Sequence, residues 1–220
     1  ATRVLLRSGG QADLLLAAQF LDATTQADLT VTSTGMSIEL VDLNSDNIAL
    51  QTLGGSASIT LHSSGSVVVA DDVWAGNDGA TSSTGGIHFD FVPAAVGDIV
   101  IHDTLLTDAG SISLTAAGSI RLEAPAVADP EDGVGADNLP LITSIEGNIA
   151  LQAQGVGSNG QIFMADGTQI IAGRSSLVDY QAGIDGLPSP STIALGSVAQ
   201  AAGQAEIALS ATDNITIASL

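Results

Sequence analysis

The 220-residue chain contains no cysteine, so neither a disulfide framework nor thiolate redox or metal chemistry is open to it. It has no lysine either; its four bases are Arg3, Arg7, Arg121 and Arg174, set against 24 Asp and Glu. A formal charge of −20 repels phosphate backbones and anionic lipid surfaces, which argues against nucleic-acid binding and membrane-surface docking. No apolar run approaches the roughly 18 residues of a membrane span, the stretch Leu14 to Ala18 being closed by Asp13 and Gln19, so no membrane insertion is expected. Aromatics are only 3% of a chain that is 45% hydrophobic. The apolar content is therefore aliphatic, suited to thin layered interiors rather than a bulky core. Such an acidic, lysine-free composition suits an extracellular or cell-surface protein. The chain opens at Ala1 without a basic-then-apolar leader and closes just after a strand-like Ile215-Thr216-Ile217, so both ends are expected to continue into something longer.

What the sequence does have is a repeat. A polar residue or glycine followed by Ile-x-Leu or a near relative recurs along the chain, as in Asn47-Ile48-Ala49-Leu50, Ser58-Ile59-Thr60-Leu61, Ser111-Ile112-Ser113-Leu114, Asn148-Ile149-Ala150-Leu151 and Glu206-Ile207-Ala208-Leu209. Alternation with period two and a β-branched leading residue, bounded by Gly, Asn, Asp and Ser, reads as a very short strand between turns. The first apolar positions come in triplets: Ile48, Ile59 and Val67; Ile99, Ile112 and Ile120; Ile149, Ile162 and Ile170; Ile193, Ile207 and Ile215. Each triplet ends on a step of 8 residues, and a fainter first copy is Leu15, Leu29 and Ile38. Longer stretches follow Val67, Ile120 and Ile170.

Three short strands per unit, with the insertions in one place, predict an all-β fold: a right-handed parallel β-helix (β-solenoid) of about five coils of three short strands, with long insertions at one corner. It fills residues 1–220 as one domain. One coil cannot bury its own Ile and Leu pair, but coils stacked at about 4.8 Å form aliphatic columns. The spacing assigns Leu15, Ile48, Ile99, Ile149 and Ile193 to one face, Leu29, Ile59, Ile112, Ile162 and Ile207 to a second, and Ile38, Val67, Ile120, Ile170 and Ile215 to the third. Gly65, Gly110, Gly118, Gly147 and Gly160 fall where tight corners would want a positive φ. A β-sandwich of short strands is the competing architecture, and it would not repeat the 8-residue step in the same slot.

The run Ala109-Gly110-Ser111-Ile112-Ser113-Leu114-Thr115-Ala116-Ala117-Gly118-Ser119-Ile120-Arg121-Leu122-Glu123-Ala124, and Thr212-Asp213-Asn214-Ile215-Thr216-Ile217, resemble the repeats of filamentous-haemagglutinin-like exoproteins and related giant bacterial adhesins. The resemblance spans most of the chain at the level of pattern. It implies a structural or adhesive segment of a secreted or cell-surface bacterial exoprotein that forms a rod or filament. Its partners would be like subunits or flanking repeats, end to end, with glycans or cell-surface receptors as further candidates.

The insertions, about Ala70 to Gly86, Ala124 to Gly147 and Ala172 to Ser191, gather carboxylates that include Asp71, Asp72, Asp78, Asp179 and Asp185. Carboxylates crowded without basic partners raise one another's pKa or recruit a hard cation. The densest cluster, Asp129, Glu131, Asp132 and Asp137, is the candidate Ca²⁺ site; the plain alternative is a solvated acidic loop. Asp42-Leu43-Asn44-Ser45-Asp46 opens like an EF-hand loop, but Asn47 stands where glycine is needed and Leu53 where glutamate is, so the match fails.

The alternative function is a carbohydrate-binding or carbohydrate-active β-helix, with Asp71 and Asp72 as carboxylates and Trp74 and Tyr180 as stacking platforms. Against an enzyme stand the scattered His62, His88 and His102, the few arginines, and the absence of a nucleophile triad, P-loop or paired zinc ligands. No catalytic residue and no enzymatic activity is assigned.

Overall fold

A computed structural model describes residues 3–35, 37–76, 83–92, 95–123, 140–155, 160–165, 168–172, 197–200, 207–211 and 215–217, and among them there are strands and turns but no helix. The chain begins with β1 (Arg3–Ser8) and β2 (Ala12–Leu16). Five triplets follow: β3 (Phe20–Thr25), β4 (Leu29–Ser33) and β5 (Ser37–Leu40); β6 (Ile48–Thr52), β7 (Ile59–Ser63) and β8 (Ser66–Val69); β9 (Asp72–Ala75), β10 (Ile87–Phe91) and β11 (Ile99–Ile101). Then come β12 (Thr104–Thr107), β13 (Ile112–Ala116) and β14 (Ile120–Leu122), and β15 (Leu141–Ser144), β16 (Ile149–Ala153) and β17 (Ile162–Met164). The last strands are β18 (Gln169–Ala172), β19 (Ser197–Gln200), β20 (Ile207–Ala211) and β21 (Ile215–Ile217).

The strands pair in parallel with strands of neighbouring layers, winding round an axis as a parallel β-helix. One sheet has seven strands in the order β2-β4-β7-β10-β13-β16-β20. The other has fourteen, with two faces: β1, β3, β6, β9, β12, β15, β18 and β19 on one, and β5, β8, β11, β14, β17 and β21 on the other. β3 joins these faces, because Phe20 and Leu21 register with Glu39 and Leu40 of β5 while Ala23 to Thr25 register with Leu50 to Thr52 of β6. Equivalent backbone bonds recur layer after layer: the Ile59 amide donates to the Gly86 carbonyl at 2.9 Å, Ile87 to Ser111 at 3.0 Å and Ile112 to Asn148 at 2.9 Å.

Aliphatic columns follow from this register. The seven-stranded sheet stacks Leu29, Ile59, Ile87, Ile112, Ile149 and Ile207. The β5-containing face stacks Ile38, Val67, Ile99, Ile120, Ile162 and Ile215. The β6-containing face stacks Ala23, Leu50, Val73, Leu105, Ile142, Ile170 and Val198. Ile38, Ile59, Ile99, Ile120, Ile162 and Ile170 are all fully buried. Each such side chain contributes roughly 1.5–3 kcal/mol, and together they dominate the stability.

Several positions differ from the spacing-based assignment. Ile112 stacks on Ile149 rather than Ile162, and Ile162 stacks on Ile120. Ile99 belongs with Ile120, and Ile170 with Ile142. Leu15 points outward, 75% exposed, and Ile48 sits at a register irregularity opposite Asp72. Ile193 lies outside the described residues. The cause is the β6-containing face, which is buried on both sides: Gln51, Leu106, Thr143 and Ile171, which alternate with the inward column, are buried too. Strands such as Thr104-Leu105-Leu106-Thr107 therefore lose the in-out alternation that marks a strand in sequence. The first insertion is likewise interrupted by β9, and the described connections do not share one place, since 76–86 leads from β9 to β10 while 123–140 leads from β14 to β15.

The corner glycines are needed for a different reason than expected. Of the glycines with positive φ, Gly76 and Gly155 are the described ones, and Gly110, Gly118 and Gly147 are not among them. Their constraint comes from the layer below. A Cβ on Gly110 would stand 1.9 Å from the Gly85 carbonyl oxygen, and one on Gly147 would stand 2.2 Å from the Gly110 oxygen. Beside them, buried hydroxyls satisfy corner carbonyls: Thr107 Oγ1 and Ser144 Oγ both donate to the Gly110 oxygen, at 2.6 and 2.7 Å.

Candidate functional site

Where the chain passes from the β5-containing face to the β6-containing face, the layers stack acidic residues. Asp42, Asp71 and Asp103 each follow the end of β5, β8 or β11 by two residues, after Leu40, Val69 and Ile101. Strand register places Leu40 on Val69 and carries Val69 onto Ile101 one layer up. The three carboxylates thus rise along one corner at about one strand spacing per step.

Each has a distinct environment. The buried Asp42 carboxylate accepts the amides of Asn44 and Ser45 at 2.7 and 2.8 Å and of Asn47 at 2.6 Å. These bonds hold Ser45 and Asn47 at φ of 67° and 63°, a conformation that otherwise costs an L-residue about 1–2 kcal/mol. The loop that opens like an EF-hand therefore spends its first carboxylate on its own backbone. The Asp42 amide in turn donates to Asp71 Oδ2 at 2.7 Å. Asp71 is buried, and Asp72 and Asp103 are partly exposed. Desolvation, reinforced by the charges of Asp72 and Asp71, pushes the Asp103 carboxyl up to about 9.

At the N-terminal end of this corner lies Asp22 in β3, fully buried. Its carboxylate takes Arg7 Nη1 at 2.7 Å, the Leu43 amide at 3.0 Å and Asn44 Nδ2 at 3.1 Å. Desolvation nevertheless outweighs these bonds and raises its pKa above the ordinary carboxylate value. Sequence reasoning singled out neither Asp22 nor Asp103. A signal for the latter existed: Leu40-Val41-Asp42, Val69-Ala70-Asp71 and Ile101-His102-Asp103 repeat an aliphatic-x-Asp pattern at the close of three layers.

The histidines do not converge. His62 and Asp90 face each other across adjacent layers of the seven-stranded sheet and pair through Nδ1 and Oδ1, both substantially exposed. His88 is turned away from them, since its Nε2 lies 2.8 Å from where a Cβ on Gly86 would stand. His102 Nδ1 donates to the Glu123 carbonyl at 2.8 Å. Trp74 is half-buried and registers with Gln51 and Leu106, among the covered side chains of its face. Phe89 points into the core.

The expected Ca²⁺ ligands Asp129, Glu131, Asp132 and Asp137 lie outside the described residues, as do Asp78, Asp179, Tyr180 and Asp185. Among the described residues no three His, Asp or Glu side chains are arranged to hold a metal ion. No helix there is long and apolar enough to cross a membrane. Comparison with protein-family models, with curated proteins and with solved structures finds no match to this chain.

Proposed function

We propose that the chain is a structural and adhesive segment of a secreted or cell-surface bacterial exoprotein, a right-handed solenoid that extends end to end into a rod. The observation that carries this reading is the state of the sheet edges. β1 and β2 at one end, and β19, β20 and β21 at the other, each have a strand partner on one side only among the described residues. Unpaired parallel edges template further strands, and stacking another solenoid layer on them continues all three columns. The likeness of the repeats to filamentous-haemagglutinin-like exoproteins supports the same reading, as does the acidic composition.

Light scattering over a wide concentration range, with electron microscopy of the same samples, tests this reading. Linear particles that lengthen with concentration are expected, with an axial repeat near 4.8 Å. A monomer at every concentration, or compact aggregates without that repeat, would overturn it.

A further inference from the structure

The first layer leaves its inward side chains half-covered. Val4, Leu6, Ala12 and Leu14 pack against the core but are only partly buried, whereas Leu21, Ala23, Leu29 and Val31, their partners in the next layer, are fully buried. At the opposite end Leu209 is half-covered in the same way, one layer beyond the buried Leu151.

The half-covered positions head columns that run without a break from one end to the other. Val4 leads layer by layer to Ile217 of β21. Leu6 leads to Val198 of β19. Ala12 leads to Ile207 and Leu14 to Leu209, both in β20. The two ends therefore carry the same strands of the same faces in the same register. A single strand, β1, serves two faces at its end, with Val4 in the β21 column and Leu6 in the β19 column.

The ends differ in charge. β1 holds Arg3 and Arg7, half of the chain's bases, whereas no base follows Arg174, and Glu206 and Asp213 adjoin the last two strands in sequence. Arg7 reaches Asp22 and Asp46, while Arg3 lies over the Phe20 ring and has no carboxylate partner among the described residues.

We propose that a second copy of this chain docks on the first layer head to tail in one fixed register, its β21 and β19 pairing with β1 and its β20 with β2, so that Val4, Leu6, Ala12 and Leu14 continue the columns of Ile217, Val198, Ile207 and Leu209. The proposal rests on the end-to-end reading above and specifies its joint.

Three physical reasons select this joint. Head-to-tail stacking keeps the strands parallel, as they are throughout the molecule, whereas a head-to-head pair would run them antiparallel and oppose the arginines of two copies. It brings a base-bearing end against an end whose sequence holds only acids. A slip of one residue would turn the outward Leu5 and Leu15 into the core positions and expel the four column residues.

The chain has no cysteine, so introduced thiols report on the joint without interference. Leu15 follows Leu14 and Ser210 follows Leu209, so the docked copies set these two residues about 5 Å apart, within reach of a disulfide. Ala208, two residues back along β20, would stand about 8 Å from Leu15, beyond that reach. Leu15→Cys and Ser210→Cys chains are mixed in equal amounts under mild oxidation, with light scattering of the same samples. The mixed 15–210 disulfide is expected to exceed either homodimer, and the mixed product of Leu15→Cys with Ala208→Cys, by at least about tenfold. Arg3→Cys with Thr216→Cys, the two ends of one outward column, repeats the test on the other sheet and decides it if Ser210→Cys does not fold. Particles that lengthen while the 15–210 and 15–208 products form equally would overturn this register and leave the end-to-end reading standing. Predominant Leu15→Cys homodimers would instead show head-to-head pairing and overturn the proposal. Absence of association at every concentration would overturn both.

Discussion

Gly110 sits directly on Gly85, so closely that a Cβ on Gly110 would stand 1.9 Å from the Gly85 carbonyl oxygen. The corner passes from layer to layer through bare backbone, and substitution there pushes coils apart. Gly110→Ala is expected to cost about 1–3 kcal/mol or more, as overpacking does. Gly9→Ala, with nothing within 4 Å of the added carbon, should be nearly neutral. Urea unfolding of the two variants checks this pair.

The columns make a second contrast. Ile112 lies between Ile87 and Ile149 and is 1% exposed, so Ile112→Ala should cost about 2–5 kcal/mol. Leu15→Ala, at an outward position 75% exposed, should change stability by no more than about 0.5 kcal/mol. Equal losses in the unfolding midpoint would contradict the register.

Arg7 and Asp22 predict a pH-dependent deficit. Burial raises Asp22 in the folded state, so its contribution is present in acid and lost as pH rises through its folded value, a loss that Arg7 limits. Arg7→Met should therefore destabilise by about 1–3 kcal/mol at pH 7 and by less in acid, as Asp22 takes up its proton. Denaturation at the two pH values measures it; a deficit larger in acid would refute the assignment.

His62 and Asp90 form an exposed pair across two layers of the seven-stranded sheet. Asp90→Asn is expected to change stability by less than about 1 kcal/mol, with the difference shrinking in high salt. Thermal unfolding at low and high ionic strength would show it.

Part of this architecture was legible in the chain. Leu29, Ile59, Ile112 and Ile207 were assigned to one column and share it, because the sheet that holds them is buried on one side only and keeps its period-two alternation. The candidate site was less legible. Asp71 and Asp72 were read as part of an insertion because β9 reads Asp-Val-Trp-Ala, with no Ile-x-Leu mark, and Asp103 was passed over between a histidine and a threonine. Ile87 was missed as well, since its strand continues as His-Phe-Asp-Phe.

Composition and repeat were enough to dictate short parallel strands, aliphatic columns and an acidic surface poor in cations, because hydrophobic periodicity and net charge are local or additive properties. Which isoleucine stacks on which, why the corners demand glycine, and that Asp42, Asp71 and Asp103 line one corner were decided by the stacking of one coil on the next. Those relations depend on register between residues about 30 positions apart, and on the close approach of backbones, neither of which a single coil contains.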